Sequence, residues 1–419
     1  MNELLWVAAS LLLVAFGLPL ARSFDLPGRI AVAFAGGTVI AGTLMFAMSV
    51  LGLKWSRASL LIPAAGMLLW ALLRWARPRW GAAIPGGAAD RDRRQEWRRS
   101  TWLLLIFALA VYGAAGARMT CGDLLYFWGP KAIHFFEARA IDVEFLRFPH
   151  YYLMHPDYPP LQPLALVWSS VMTGRFSWWG AVLLAPLYLM AAVLAFRSLA
   201  APRLGAEKAT AYAALLAALL TFGFTAGRAA GGADPMLLMF EVIALSALTF
   251  GAGREATIIA SVALAGAAFT KVEGSAFVVA IVIALLFVNR RAVAAALPAV
   301  ILIGSWILFA RHHGLLDSYA RAEKPLLFDR LGHVLYMGGW QASYRVMYLP
   351  WIAALGPLAF GRSFRRAALP LIVAALSLGY TVFFYLHEPE PLWWIRASAE
   401  RVLLTTLSCL VVASAAASE

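Results

Sequence analysis

The chain has 419 residues, 62% of them hydrophobic and only 14% charged, with a formal net charge of +13 and a mean hydropathy of +0.75. Soluble domains carry about 25% charged residues, so this composition excludes an ordinary soluble protein and calls for an integral membrane protein. The positive excess lies in short loops between apolar runs, where orientation in a membrane places it, which argues against a nucleic-acid-binding surface.

The apolar runs are continuous rather than alternating, which predicts spanning helices and excludes a β-barrel. Hydropathy predicts about thirteen spans: 4–20, 30–52, 58–75, 101–117, 178–198, 209–226, 234–251, 255–271, 275–289, 293–311, 346–361, 368–386 and 401–416. The first run ends at Ala21-Arg22 without a small-x-small cleavage site and is expected to be retained. Residues 161–174, apolar but short and preceded by Pro159-Pro160, are expected to lie at the interface or dip into it.

Arginine sets the expected orientation. The 76–99 loop holds Arg77, Arg79, Arg91, Arg93, Arg94, Arg98 and Arg99 and is expected to be cytoplasmic. Alternation then places Arg197/Arg203/Lys208, Arg290/Arg291 and Arg362/Arg365/Arg366 on the same side, with Lys54 and Arg57 dissenting. The same alternation gathers 118–160, 231–234, 271–274, 312–345 and 387–400 on the outer side, and these segments hold 13 of the 22 acids. No internal repeat is visible, which disfavours inverted-repeat transporters.

The 118–160 loop carries Asp123, Lys131, His134, Glu137, Asp142, Glu144, His155 and Asp157 among aromatics. Such a loop between spans is where a membrane enzyme keeps its chemistry. Asp234, in Gly231-Gly232-Ala233-Asp234-Pro235, is expected to cap a helix with Pro235 in its first turn. Glu241 lies two turns on, on the same face, and an acid that deep requires a partner the sequence does not reveal. Thr270-Lys271-Val272-Glu273-Gly274 reads as a helix break with a Lys271–Glu273 ion pair, and Glu400-Arg401 as an anchor of the last span. Cys121 and Cys409 form no CxxC, and His134, His155, His312, His313 and His387 show no zinc spacing, so no obligatory metal is expected.

In this order, an acid after an early span, a large outer loop ending in Tyr158-Pro159-Pro160-Leu161, the Ala-Asp-Pro helix start, the Thr-Lys-x-Glu-Gly break and Ser398-Ala399-Glu400-Arg401 resemble bacterial membrane glycosyltransferases of the GT-C class. The likeness is to protein O-mannosyltransferases and the aminoarabinose transferases of lipid A. It covers roughly residues 100–417, with the first three spans (residues 1–99) as an addition and 100–419 as the catalytic domain. It implies an all-α polytopic fold whose large first periplasmic loop contains interfacial helices. It also implies transfer of a sugar from a polyprenyl-phosphate donor to a hydroxyl of an envelope glycan or glycolipid, at the periplasmic face of the inner membrane. In that class the first-loop acid is the general base, here Asp123, and the second-loop acid, here Asp234, orients acceptor or base. The class usually shows two adjacent acids in the first loop; this chain has Asp123-Leu124, which leaves a metal role there open.

The chemistry accords with that implication. Phosphate leaves readily from an anomeric carbon, so one carboxylate suffices to take the acceptor proton, with inversion. Basic residues must neutralise the departing phosphate, for which Lys131, Lys271, Arg311, Arg345, Arg396 and Arg401 are candidates. Glu273, His155 and Asp157 are further candidates for substrate contact, and Tyr126, Trp128, Tyr151, Tyr152 and Tyr158 for stacking on sugar or anchoring at the interface. No cofactor is expected beyond the lipid-linked sugar as co-substrate. The competing expectations are a transporter or flippase for a lipid-linked sugar, and a non-catalytic component of envelope-glycan assembly.

Overall fold

The computed structural model describes residues 2–21, 24–76, 122–148, 155–224, 231–315, 327–345, 349–359, 361, 363–388 and 390–419. The expected 101–117 span, the arginines of 77–99, Cys121, Tyr151 and Tyr152 lie outside them. Among the described residues every element is a helix.

In chain order these are α1 (Asn2–Leu11), α2 (Val14–Gly17), α3 (Leu26–Val50), α4 (Arg57–Ala76), α5 (Gly129–Ala138), α6 (Val143–Arg147), α7 (Leu161–Thr173), α8 (Trp178–Leu204) and α9 (Ala206–Phe224). There follow α10 (Asp234–Phe250), α11 (Gly253–Thr270), α12 (Val272–Val288), α13 (Leu297–His312), α14 (Leu331–Arg345), α15 (Leu349–Ala359), α16 (Phe364–His387) and α17 (Pro391–Ala417). Among them, five stretches are long and apolar enough to cross a membrane: Glu3–Leu20, Leu26–Val50, Trp178–Leu204, Arg290–His312 and Phe364–His387. A sixth is α17 if its two halves, bent by 55° between Ala399 and Arg401, count as one span. The chain is therefore a helical membrane protein.

Several helices differ from expectation for local reasons. The first run is broken after Leu11, and Pro19 closes it in a 3-10 turn, Leu18–Leu20. The 312–345 segment is not all loop: Leu331, Val334, Leu335 and Gly338 repeat at helical spacing and form one side of α14. Helix α7, expected at the interface or dipping into it, is buried along Leu161–Val171, packed against α1, α3, α5 and α11. At 13 residues it rises only about 20 Å, short of a hydrocarbon core of about 30 Å.

At the centre stands α10, buried from Asp234 to Ala247 and packed against α8, α11 and α17. An apolar helix without a polar face belongs inside a bundle. The N-terminal helices share this core. Trp168 Nε1 donates to the Ala9 carbonyl at 2.9 Å, and Ile141 N donates to Ser49 Oγ at 3.1 Å. At one end of the bundle the buried Arg197 donates to Asp25 at 3.0 Å and to Thr210 at 3.0 Å, tying α8 to the start of α3 and to α9.

Small residues let helices approach closely where lipid offers no hydrophobic drive. A Cβ on Gly37 of α3 would sit 1.8 Å from the Leu13 carbonyl oxygen. Gly37→Val is therefore expected to destabilise by about 1–3 kcal/mol or more through overpacking. Thermal unfolding in detergent checks this, and an unchanged midpoint would show that the helices are not in contact there.

Candidate functional site

The charged groups singled out in the sequence meet at the end of the bundle opposite Asp25. Their convergence begins with packing. Leu124 is fully buried, and Gly231, at φ +85°, leaves no room for a Cβ, which would sit 2.5 Å from Leu124 Cδ2. A left-handed glycine is needed there on both counts. This contact sets Asp123, next to Leu124, beside the start of α10. Leu124, where the resemblance leads one to expect a second acid, is an apolar packing residue. Leu124–Trp128 is a π-helical turn, a local irregularity frequent at functional sites.

Asp234 opens α10 but does not cap it. The cap position falls to Ala233, and no side-chain cap bond forms. Two cations draw the carboxylate away. Lys271 Nζ donates to Asp234 Oδ1 at 3.0 Å, and Arg401 Nη1 donates to Oδ2 at 3.0 Å. The same Nη1 donates to Asp123 Oδ2. Lys271, extended between α11 and α12, also pairs with Glu273 at 2.9 Å. The result is one chain of five charges, Asp123–Arg401–Asp234–Lys271–Glu273. Lys271–Glu273 is the expected pair. Arg401 does more than anchor α17, because it joins the two acids named as base and assistant.

The two acids are not equivalent. The Asp234 side chain is 8% exposed with both oxygens bonded, whereas that of Asp123 is 24% exposed and, among the described residues, is held only by Arg401. Asp123 keeps one oxygen for another partner; Asp234 keeps none. Glu273 Oε2 and Gln162 Oε1 are buried without a hydrogen-bond partner among the described residues, while Gln162 Nε2 donates to the Gly231 carbonyl at 3.3 Å.

A second cluster borders the first. Lys131, 2% exposed, donates to the His155 carbonyl at 2.5 Å, with its ammonium 5.2 Å from the Trp128 ring and 5.9 Å from that of Tyr158. Burial pulls the Lys131 amine down to about 7, partly opposed by Asp157. Trp306 Nε1 fixes the Asp157 carbonyl at 2.7 Å. The His155 ring stacks on Tyr158 at 4.4 Å from a left-handed backbone, φ +49°. Burial, then Lys131 and Lys271, lower its imidazole to about 3.

These positions revise several expected roles. Lys131 is buried under two rings on a backbone carbonyl, so it is not open to a phosphate. Trp128 and Tyr158, 2% and 6% exposed, cover that ammonium and have no free face for a sugar. Tyr126, 67% exposed, has one. Arg396 is exposed and has no ion pair among the described residues, which leaves it open to an anion. Arg311 is exposed at the end of α13, apart from the five-charge chain.

Two partnerships were missed from sequence. Thr405 Oγ1 donates to Glu241 Oε2 at 2.7 Å, and Ser398 meets the Tyr385 hydroxyl at 3.0 Å. Ser398 and Thr405 lie three residues before and four after Arg401, so helical spacing from Arg401 was the available signal. Among the described residues no group of three His, Cys, Asp or Glu is arranged to hold a metal. Comparison of the chain with protein-family models, curated proteins and solved structures finds no match.

Proposed function

We propose that the protein is a membrane glycosyltransferase that moves a sugar from a polyprenyl-phosphate donor to a hydroxyl of an envelope glycan or glycolipid. In this reading it sits in the bacterial inner membrane with its site toward the periplasm. The observation that carries it is the inequality within the charge chain: one acid partly open, its neighbour locked, and a guanidinium shared between them.

Asp123 accepts a hydrogen bond from the acceptor hydroxyl on its uncommitted oxygen. As that hydroxyl oxygen bonds to the anomeric carbon, its proton passes to Asp123. The bond from anomeric carbon to phosphate oxygen breaks on the opposite face, and the phosphate leaves with the electron pair, inverting the centre. Once Asp123 is neutral, Arg401 stays held by Asp234, so the geometry survives the proton transfer. Asp234 is thus a positioning residue. Arg396 supplies positive charge for the departing phosphate, and Tyr126 a ring face for the sugar.

Asp123→Asn keeps size and hydrogen bonding but cannot take a proton. Transfer is expected to fall by about 10²–10⁴-fold, read by mass spectrometry of envelope glycolipids in a strain lacking the gene. Full activity of the Asn variant at equal abundance would remove Asp123 as base and favour the non-catalytic reading. A transporter of lipid-linked sugars is the second reading, favoured by Glu241, an ionisable group deep in α10. Cysteines at positions 123, 234 and 271 distinguish the two: one-sided labelling fits the enzyme, and labelling from alternating sides fits the transporter.

A further inference from the structure

We propose that Glu241 is a proton-binding site inside the helix bundle, carried as the neutral acid while the five-charge chain at the end of the bundle is ionised. The proposal stands apart from the transfer reaction and holds under either reading of function.

The geometry is specific. Glu241 is 3% exposed and faces α17, where Thr405 Oγ1 donates to its Oε2 at 2.7 Å. Helices α10 and α17 are therefore bonded at two levels, by Asp234–Arg401 at the end of the bundle and by Glu241–Thr405 within it. At the first level charge meets charge. At the second, among the described residues, an acid meets only a hydroxyl, since Lys271 and Arg401 are taken up by Asp123, Asp234 and Glu273.

Among the described residues, the charged and titratable groups that act on Glu241 are Asp234 on its own helix, Lys271 and Glu273 at the junction of α11 and α12, and Cys409 on α17. The five-charge chain already has three acids against two cations. Ionising Glu241 would place a second uncompensated negative charge in apolar surroundings, which is strongly unfavourable. Binding a proton from solvent avoids that charge, and the protonated carboxyl still accepts the Thr405 hydrogen bond through its carbonyl oxygen.

The test is infrared difference spectroscopy of the full chain in lipid, titrated from neutral to alkaline pH. Wild type is expected to show the carbonyl stretch of a neutral carboxylic acid at neutral pH, lost as the pH rises. Glu241→Gln is expected to lack that band. Thr405→Val keeps Glu241 in place and is expected to shift the band to higher frequency, because the carbonyl loses its hydrogen bond. A Glu241→Gln spectrum identical to wild type, or an unmoved band in Thr405→Val, overturns the site.

Discussion

Arg401→Met is expected to destabilise the protein by about 3–5 kcal/mol, the cost of removing one partner from a buried ion pair, and, under the proposed function, to abolish sugar transfer. A single nitrogen, Nη1, serves both Asp123 and Asp234. Without it Asp123 loses its only recorded partner among the described residues, and Asp234 must rest on Lys271 alone. The side chains of Arg401 and Asp234 are 15% and 8% exposed, so solvent screens little of this loss. Adding Asp123→Asn should recover part of it, because one uncompensated charge goes with the Asn; coupling of about 0.5–3 kcal/mol is the range for residues in one network. Arg401→Lys should retain more stability than Arg401→Met, since both bonds come from one nitrogen and an ammonium can replace it if it reaches. Unfolding in mixed micelles measures all four proteins. An Arg401→Met variant as stable as wild type would show that the bridge contributes nothing to the fold.

Much of this arrangement is legible in the sequence, at the level of helix ends. Asp123, Asp234, the Lys271–Glu273 break and Arg401 each stand where an apolar run starts or stops, and loop alternation alone places them at one end of the bundle. What alternation does not supply is side-chain pairing. Asp234 reads as a cap because Asp before Pro is a frequent helix start. Two cations from other helices outcompete the backbone N–H groups, because a charge-assisted bond is roughly twice as strong as a neutral one. That competition is tertiary, and nothing in residues 231–235 announces it.

The aromatic loop shows the same boundary. Its richness in Trp and Tyr suggests sugar stacking, and its lysine suggests a phosphate site. Packing instead folds Trp128 and Tyr158 over the Lys131 ammonium and spends the ammonium on the backbone of His155. Composition shows which groups are present but not which of them neutralise one another. Helix α7 is a comparable case, since its apolar surface suits lipid and protein equally, and the neighbours α1, α3, α5 and α11 decide between them.

Lys131→Met tests that reassignment through pH. The amine lies near 7 in the folded protein, against an ordinary value of 10.5. Between those values the unfolded chain binds the proton more tightly, so wild-type stability rises with pH across this window. The gain is on the order of 5 kcal/mol. Met fills a similar volume and titrates nothing, so this rise is expected to vanish in the variant. The level of stability is a poorer guide than the slope. Met removes a buried charge, which favours the fold, but also leaves the His155 carbonyl without its donor, which costs about 1–3 kcal/mol. Unfolding midpoints at stepped pH, taken as the difference between the two proteins, isolate Lys131 from other groups that titrate in alkali. Parallel curves would mean that Lys131 stays protonated and solvated, and would return it to the candidates for holding a phosphate under the proposed function. On the acid side His155 acts with the same sign. Its folded value near 3 lies below the ordinary 6.5, so stability is lost as pH falls through that interval. The loss should be smaller in Lys131→Met, because Lys131 is one of the two cations that hold the imidazole neutral.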